Sequence, residues 1–298
     1  MKNHIWSGSG VTMRDDVVLM DGAVGTSLWE KFDNDKDKVP VWRYNIEHPE
    51  VVRQVEQEFI DAGSQIVLAN TFGANRGNMV KTDYTVDQIV GAAMEIAHDT
   101  IEGHALIGLA VGPLTGLLEP YGEIPVDEAY DMFNEQITRG VAGKPDVIYI
   151  QTFMSLQMMQ LAAKAARQFD IPLICSFSFE KNKHTLMGNS VQDVIDGMAE
   201  FHPEGIGLNC SLGPDTALPI IEEFSNLTDT PLVFKPNAGL PVYTKGGGIS
   251  TAIDVEDFTD DVIKSLDYNV KYIGGCCGAN ATYIKRMNEK LQARKAQG

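Results

Sequence analysis

A single (β/α)8 barrel, the TIM-barrel class of α/β fold, is expected from three features of this 298-residue sequence. Eight short runs of apolar or β-branched residues recur along it. Each run is nearly continuous in apolar character, as strands buried on both faces of a parallel sheet are. Segments with apolar residues at helical spacing lie between them, so strand and helix alternate around one closed unit.

The first run covers residues 17–21 and ends on Asp21. The others cover 65–70, 105–111, 146–151, 172–179, 205–209, 231–236 and 270–274, with Gly, Asn, Thr, Pro or Ser closing them. The helix expected at 49–63 carries Val52, Val55, Phe59 and Ile60 near one face, and Gly63 suits its stop. Further helices are expected at 86–101, 126–141, 156–169, 191–201, 217–227 and 255–266, and an amphipathic helix at 281–293 closes the chain. No low-complexity linker or solenoid period divides the sequence, so one domain is expected over 1–298, with its barrel core at about 16–286.

Composition narrows the function. A net charge of −17 argues against nucleic-acid or anionic-membrane partners. No apolar run approaches the roughly 18 residues of a membrane span. The opening ten residues lack the apolar core of a signal peptide. Four cysteines in a chain this long do not form a disulfide framework, and the two that are adjacent would strain any bridge between them. A reducing, cytoplasmic setting is expected. The mixed-charge run Asp33 to Lys38 reads as a solvated loop and a candidate docking edge, and 243–248 as a mobile loop without the features of a phosphate loop.

Barrel active sites form at the C-terminal ends of the strands. Here the sixth strand ends in Cys210 and the eighth in Gly274-Gly-Cys-Cys-Gly278. Strands six and eight flank strand seven, so Cys210, Cys276 and Cys277 can converge over one spot. Adjacent cysteines within a strand would face opposite ways, but a following glycine lets the backbone turn both inward. Three thiolates and one open position make a catalytic zinc layout. Such a site is a weak Lewis acid, yet it holds an incoming thiol, whose free pKa is ~8.5, as the nucleophilic anion. The fourth cysteine, Cys175, sits mid-strand and reads as a small buried hydrophobe. Asp21 closes the first strand as a carboxylate able to pair with an ammonium, or to cap the following helix. Asn237 closes strand seven, where its amide oxygen can occupy the fourth metal position before substrate arrives, or simply stabilise a turn.

Five motifs, in order, resemble the homocysteine S-methyltransferase family: Asp21-Gly-Ala-Val-Gly-Thr26, Asn70-Thr-Phe-Gly-Ala-Asn75, Gly207-Leu-Asn-Cys-Ser-Leu-Gly-Pro214, Pro236-Asn-Ala-Gly239 and Gly274-Gly-Cys-Cys-Gly278. The similarity is greatest to the homocysteine-binding domain of cobalamin-dependent methionine synthase. The resemblance implies a zinc-dependent barrel that methylates a thiol, as in methionine formation, with Cys210, Cys276 and Cys277 as zinc ligands. It places Asp21 and the backbone around Gly22, Ala23 and Thr26 beside the substrate amino acid. Asn70, closing strand two, and Thr152, closing strand four, are further candidate substrate contacts.

Two positions depart from the family pattern. The family usually closes strand four with Glu-Thr, where this chain has Gln151-Thr152. Strand seven often carries an acidic residue where this chain has Lys235. Losing a carboxylate and gaining an ammonium weakens the pocket for a cationic amino group. The expected partners are a small thiol and a methyl donor, either a small sulfonium compound or a corrinoid held by a separate protein. Two alternatives remain open: demethylation of a small methylated substrate onto that corrinoid protein, and a non-catalytic zinc-binding barrel.

Overall fold

The computed structural model describes residues 17–31, 39–239, 242–243, 249–250 and 253–297. The sheet has eight parallel strands: β1 (Val18–Leu19), β2 (Ile66–Ala69), β3 (Leu106–Val111), β4 (Val147–Phe153), β5 (Leu173–Phe177), β6 (Gly205–Asn209), β7 (Leu232–Lys235) and β8 (Val270–Ile273). Each of β2 to β7 pairs with its sequence neighbours, and β8 lies between β7 and β1. A parallel bridge from Met20 to Ile66 joins β1 to β2 and closes the ring. Backbone bonds from Gln65 to Leu19 (2.7 Å) and from Asp21 to Ile66 (3.1 Å) hold this seam. The molecule is a (β/α)8 barrel, as its eight apolar runs predict.

Alternation along the strands sorts the side chains into two cores. Val18, Met20, Ile66, Leu68, Tyr149, Val233 and Tyr272 point into the barrel and fill it. Their neighbours Leu19, Val67, Ile148 and Phe234 join the larger core beneath the helices. Burying one such aliphatic side chain contributes roughly 1.5–3 kcal/mol. At the upper end of the interior the inward positions turn polar: Gln151, Ser176, Asn209 and Lys235 are all buried.

The helices are α1 (Val24–Glu30), α2 (Tyr44–Glu47), α3 (Pro49–Asp61), α4 (Val86–Ile101), α5 (Val126–Ala142), α6 (Leu156–Ala166), α7 (Val191–Met198), α8 (Pro214–Leu227), α9 (Val255–Lys264) and α10 (Ala281–Gln297). Capping boxes start two of them, Thr85 with Gln88 at α4 and Ser190 with Asp193 at α7. Helix α8 begins three residues before the expected 217, because Pro214 suits a first helical position. The short α1 and α2 carry too few turns to show a period in the sequence. No helix among the described residues is long and apolar enough to cross a membrane.

Strand four departs from its expected end at Gln151. It continues to Phe153 through a bulge, where its register against β5 shifts between Ile150 and Phe153. Thr152 sits there with φ +66°. Bulges of this kind re-aim side chains beside active sites. The charged loop residues 32–38, the glycine loop 244–248 and residues 1–16 lie outside the described residues. A two-stranded antiparallel ribbon, Val242–Tyr243 with Ile249–Ser250, flanks the second of these.

Candidate active site

The three barrel-end cysteines come together. Their sulfur atoms all lie within 4.8 Å of one another, and Cys210 Sγ is 3.7 Å from Cys277 Sγ. Backbone bonds fix this convergence: Cys210 N–H donates to Lys235 O (3.1 Å), Cys276 N–H to Pro236 O (2.8 Å) and Ala238 N–H to Cys277 O (2.9 Å). The ends of β6, β7 and β8 are thus sewn into one platform. Cys210 and Ser211 are both left-handed, with φ +64° and +58°. Non-glycine residues rarely hold that conformation, and where they do the surrounding structure enforces it, commonly at a functional site. Gly278, at φ +82°, lets the Cys276-Cys277 turn close. A Cβ on Gly22 would lie 2.0 Å from Ala279 O, so only glycine lets the loop after β1 approach that turn.

The donor set fits zinc. Tetrahedral Zn–S bonds of about 2.3 Å put sulfurs about 3.8 Å apart, close to the Cys210–Cys277 spacing. With no metal bound, one negative charge is shared among the three thiols. Cys276 and Cys277 steady the Cys210 thiolate, holding its pKa down to about 3, and the Asn237 amide adds to this. The same charge pushes Cys277 up to about 12 and Cys276 further. A dication there would displace the remaining protons. Asn209 Nδ2 approaches Cys276 Sγ at 3.6 Å, a support of the kind that orients metal ligands.

A cavity of about 280 Å³ opens beside the sulfurs. Gly22 to Thr26 and Trp29 form one wall, Leu68, Ala69, Asn70 and Phe72 another, and Gln151, Thr152 and Lys235 close it. Beneath it runs a buried polar chain. Tyr149 OH meets Ser176 Oγ (2.7 Å), and Ser176 donates to Asn209 Oδ1 (2.6 Å). Asn209 then donates to Thr152 Oγ1 (2.7 Å), and its Oδ1 accepts the Thr152 N–H (2.8 Å). Beside it, Lys235 Nζ donates to Asp21 Oδ1 at 2.6 Å and lies 5.5 Å from the centre of the Tyr149 ring.

The homocysteine S-methyltransferase family model matches residues 18–291. The chain belongs to the homocysteine S-methyltransferase family. Among curated relatives, the methionine synthase of Mycobacterium leprae (strain TN) is 24% identical over 297 residues, covering 93% of this chain and 24% of that protein. The chain therefore spans about a quarter of that relative's length. The metallated form of the homocysteine methyltransferase MmuM from Escherichia coli superposes with a TM-score of 0.79 at 19% identity, covering 93% of this chain and 97% of that one. Its apo form gives 0.73 at 18% identity with the same coverage. At that identity the likeness establishes the fold.

The family motifs distribute unevenly around this cavity. Cys210, Cys276, Cys277, Gly22, Ala23, Thr26, Asn70, Gln151, Thr152 and Lys235 all line it. Asp21 does not. It is fully buried, and its oxygens accept from Lys235 Nζ and from Leu68 N–H (2.8 Å). Asn70 lends its amide N–H groups to Val41 O and Asn45 Oδ1, each at 2.8 Å. Asn237 is buried beside Cys210, and its Oδ1 has no partner among the described residues. Cys175 stays mid-strand on β5, and burial keeps it protonated, far from the cluster's chemistry. Sequence reading gives no role to Tyr149, Ser176 or Asn209. Their signal was a polar group at the inward position near the end of an otherwise apolar strand.

Proposed function

We propose that the chain methylates a thiol, homocysteine or a relative of it, at a zinc ion held by Cys210, Cys276 and Cys277. The acceptor loses its thiol proton to solvent. Its sulfur then attacks the donor's methyl carbon in line, and the bonding pair departs with the donor. Zinc, when bound, would supply the acidity that keeps the acceptor thiol ionised at neutral pH. The protein's part is placement. The β6–β8 platform fixes the sulfurs, Asn209 orients Cys276, and the Gly22–Thr26 wall seats the acceptor's body. Asn237, whose amide N–H group faces Cys210 while its oxygen has no partner among the described residues, would guard the open position before the acceptor arrives. The observation that carries this reading is three unbridged sulfurs within 4.8 Å of one another facing a cavity at the barrel mouth.

The methyl donor would be a small sulfonium compound or a methyl-corrinoid carried by a partner protein. Support for a protein partner comes from the rim. Phe72, Val80, Leu117, Tyr121, Leu186 and Met187 are exposed, all on loops that follow β2, β3 or β5. Apolar exposure concentrated around an active-site mouth suits docking. A second reading runs the same transfer in reverse, demethylating a small substrate onto that corrinoid. The neutral Gln151 favours it, since such a substrate need not carry an amino group.

The test measures zinc per chain in the wild type and in Cys277→Ala, then follows thiol methylation by mass spectrometry across a panel of thiols and donors. One zinc per chain, lost in the variant, and a methyl thioether product are expected. Full zinc retention in Cys277→Ala would sink the ligand assignment.

A further inference from the structure

Cys210 reaches the mouth of the barrel only by breaking the alternation of its strand. Successive side chains of a strand point to opposite faces. Leu208 belongs to the core beneath the helices, and Asn209 points inward to Ser176 and Thr152. Continued as a strand, β6 would send Cys210 outward again, beneath the helices. Its φ of +64° turns it instead, and its sulfur arrives 3.7 Å from that of Cys277. Ser211 follows at φ +58°. The Leu212 N–H donates to Cys210 O (2.7 Å), so Ser211 is the centre of a three-residue turn of the rare, strained hand. The Ser211 N–H faces the Cys210 sulfur.

Two consecutive left-handed residues that carry side chains need to be held from outside. Cys210 is held through its backbone, whose N–H donates to Lys235 O (3.1 Å). Ser211 is held through its side chain, which forms a hydroxyl–hydroxyl hydrogen bond with Ser178. Ser178 is a firm anchor. It is buried just past the end of β5, and its N–H donates to Phe153 O (2.8 Å) at the end of β4. The next residue, Phe179, packs edge-on against Phe224 of α8, with ring centres 5.7 Å apart. Only residues 210–213 join β6 to α8, so the same anchor is fixed at both ends of the turn it holds.

We propose that Ser178 is a positioning residue for the metal centre: its hydroxyl latches Ser211 in the left-handed turn that brings the Cys210 sulfur to the barrel mouth. This rests on the zinc reading above and adds a residue that lies outside all five family motifs. The latch acts on the ligand's backbone and leaves the three sulfurs themselves untouched. Without it, Ser211 relaxes towards ordinary backbone angles and Cys210 drifts from the other two cysteines.

The test is chelator competition for zinc on the full chain. Cobalt(II) put in place of zinc reads the sulfur-to-metal charge-transfer band, and melts of the metal-free protein run beside it. Ser178→Ala is expected to weaken zinc binding about tenfold or more and to diminish the band, with all three cysteines in place. Ser211→Ala removes the same hydrogen bond from the other side and is expected to do likewise, so either variant decides the matter if the other folds poorly. Glycine holds a positive φ without help. Ser178→Ala combined with Ser211→Gly is therefore expected to regain zinc affinity to within about threefold of the wild type, a rescue that a general loss of stability would not show. Wild-type affinity and band in Ser178→Ala, or a double variant as weak as Ser178→Ala alone, overturns this inference while leaving the zinc reading standing. A wild type that takes up neither zinc nor cobalt overturns that reading and this inference together.

Discussion

Lys235 and Asp21, 214 residues apart in sequence, form a buried ion pair across the upper end of the barrel, with Nζ 2.6 Å from Oδ1. The pair sits between the seam that closes the ring and the wall of the acceptor cavity. Removing one partner strands the other charge out of water. Lys235→Met is expected to destabilise the protein by about 3–5 kcal/mol. Adding Asp21→Asn to it is expected to restore most of that loss, because the stranded charge disappears. Urea denaturation of both variants checks this. Equal losses in the single and double variants would show that packing, not charge, dominates.

Asn209 joins the Thr152 bulge to the cysteine platform. Asn209→Ala removes the donor that faces Cys276 and leaves the Thr152 N–H and Ser176 hydroxyl without their acceptor. Zinc affinity is expected to fall about 10–100-fold while all three sulfur ligands remain. Competition with a chromogenic chelator measures it, and unchanged affinity would remove Asn209 from the site's support.

Glu56, on the inner face of α3, is wholly buried, and neither of its oxygens makes a hydrogen bond within ordinary geometry among the described residues. Burial pushes its pKa up to about 8, and the nearby Thr100 hydroxyl offsets this only in part. The folded chain therefore holds this proton more tightly than the unfolded chain does. Its contribution to stability is complete below the unfolded carboxylate pKa of about 4.3 and is lost as pH rises through 8. Unfolding free energy is expected to drop by a few kcal/mol across that window. Glu56→Gln is expected to flatten the slope. An identical pH profile in the variant would assign the slope to other groups.

Cys175 provides the contrast with the cluster. It is buried mid-strand with its thiol held protonated. Cys175→Ala is expected to leave zinc content unchanged and to cost about 1 kcal/mol from the small void it leaves. Metal analysis beside a thermal melt tests both parts, and a loss of zinc would place this residue in the site after all.

Much of the architecture was legible because buried parallel strands leave an uninterrupted apolar trace, as residues 65–70 and 105–111 do. Cysteine convergence followed from ring order, since strands six and eight must flank strand seven. What stayed hidden depends on facing. The sequence puts Asp21 and Lys235 at strand ends, but only the closed ring shows that they pair with each other. The polar chain of Tyr149, Ser176 and Asn209 draws one residue from each of three adjacent strands, and no local pattern links them. The bulge at Thr152 is a dihedral fact, invisible in residue type, and α1 and α2 are too short for a period to show.

The seam at the first strand has a consequence for how this barrel can diverge. Backbone pairing ends early there, and the Asp21 carboxylate continues the fastening by accepting the Leu68 N–H. Clasp and cavity wall are therefore joined through Lys235. A lineage that retunes its acceptor at position 235 must also refasten the hoop, so chemistry and scaffold at this corner can change only in step.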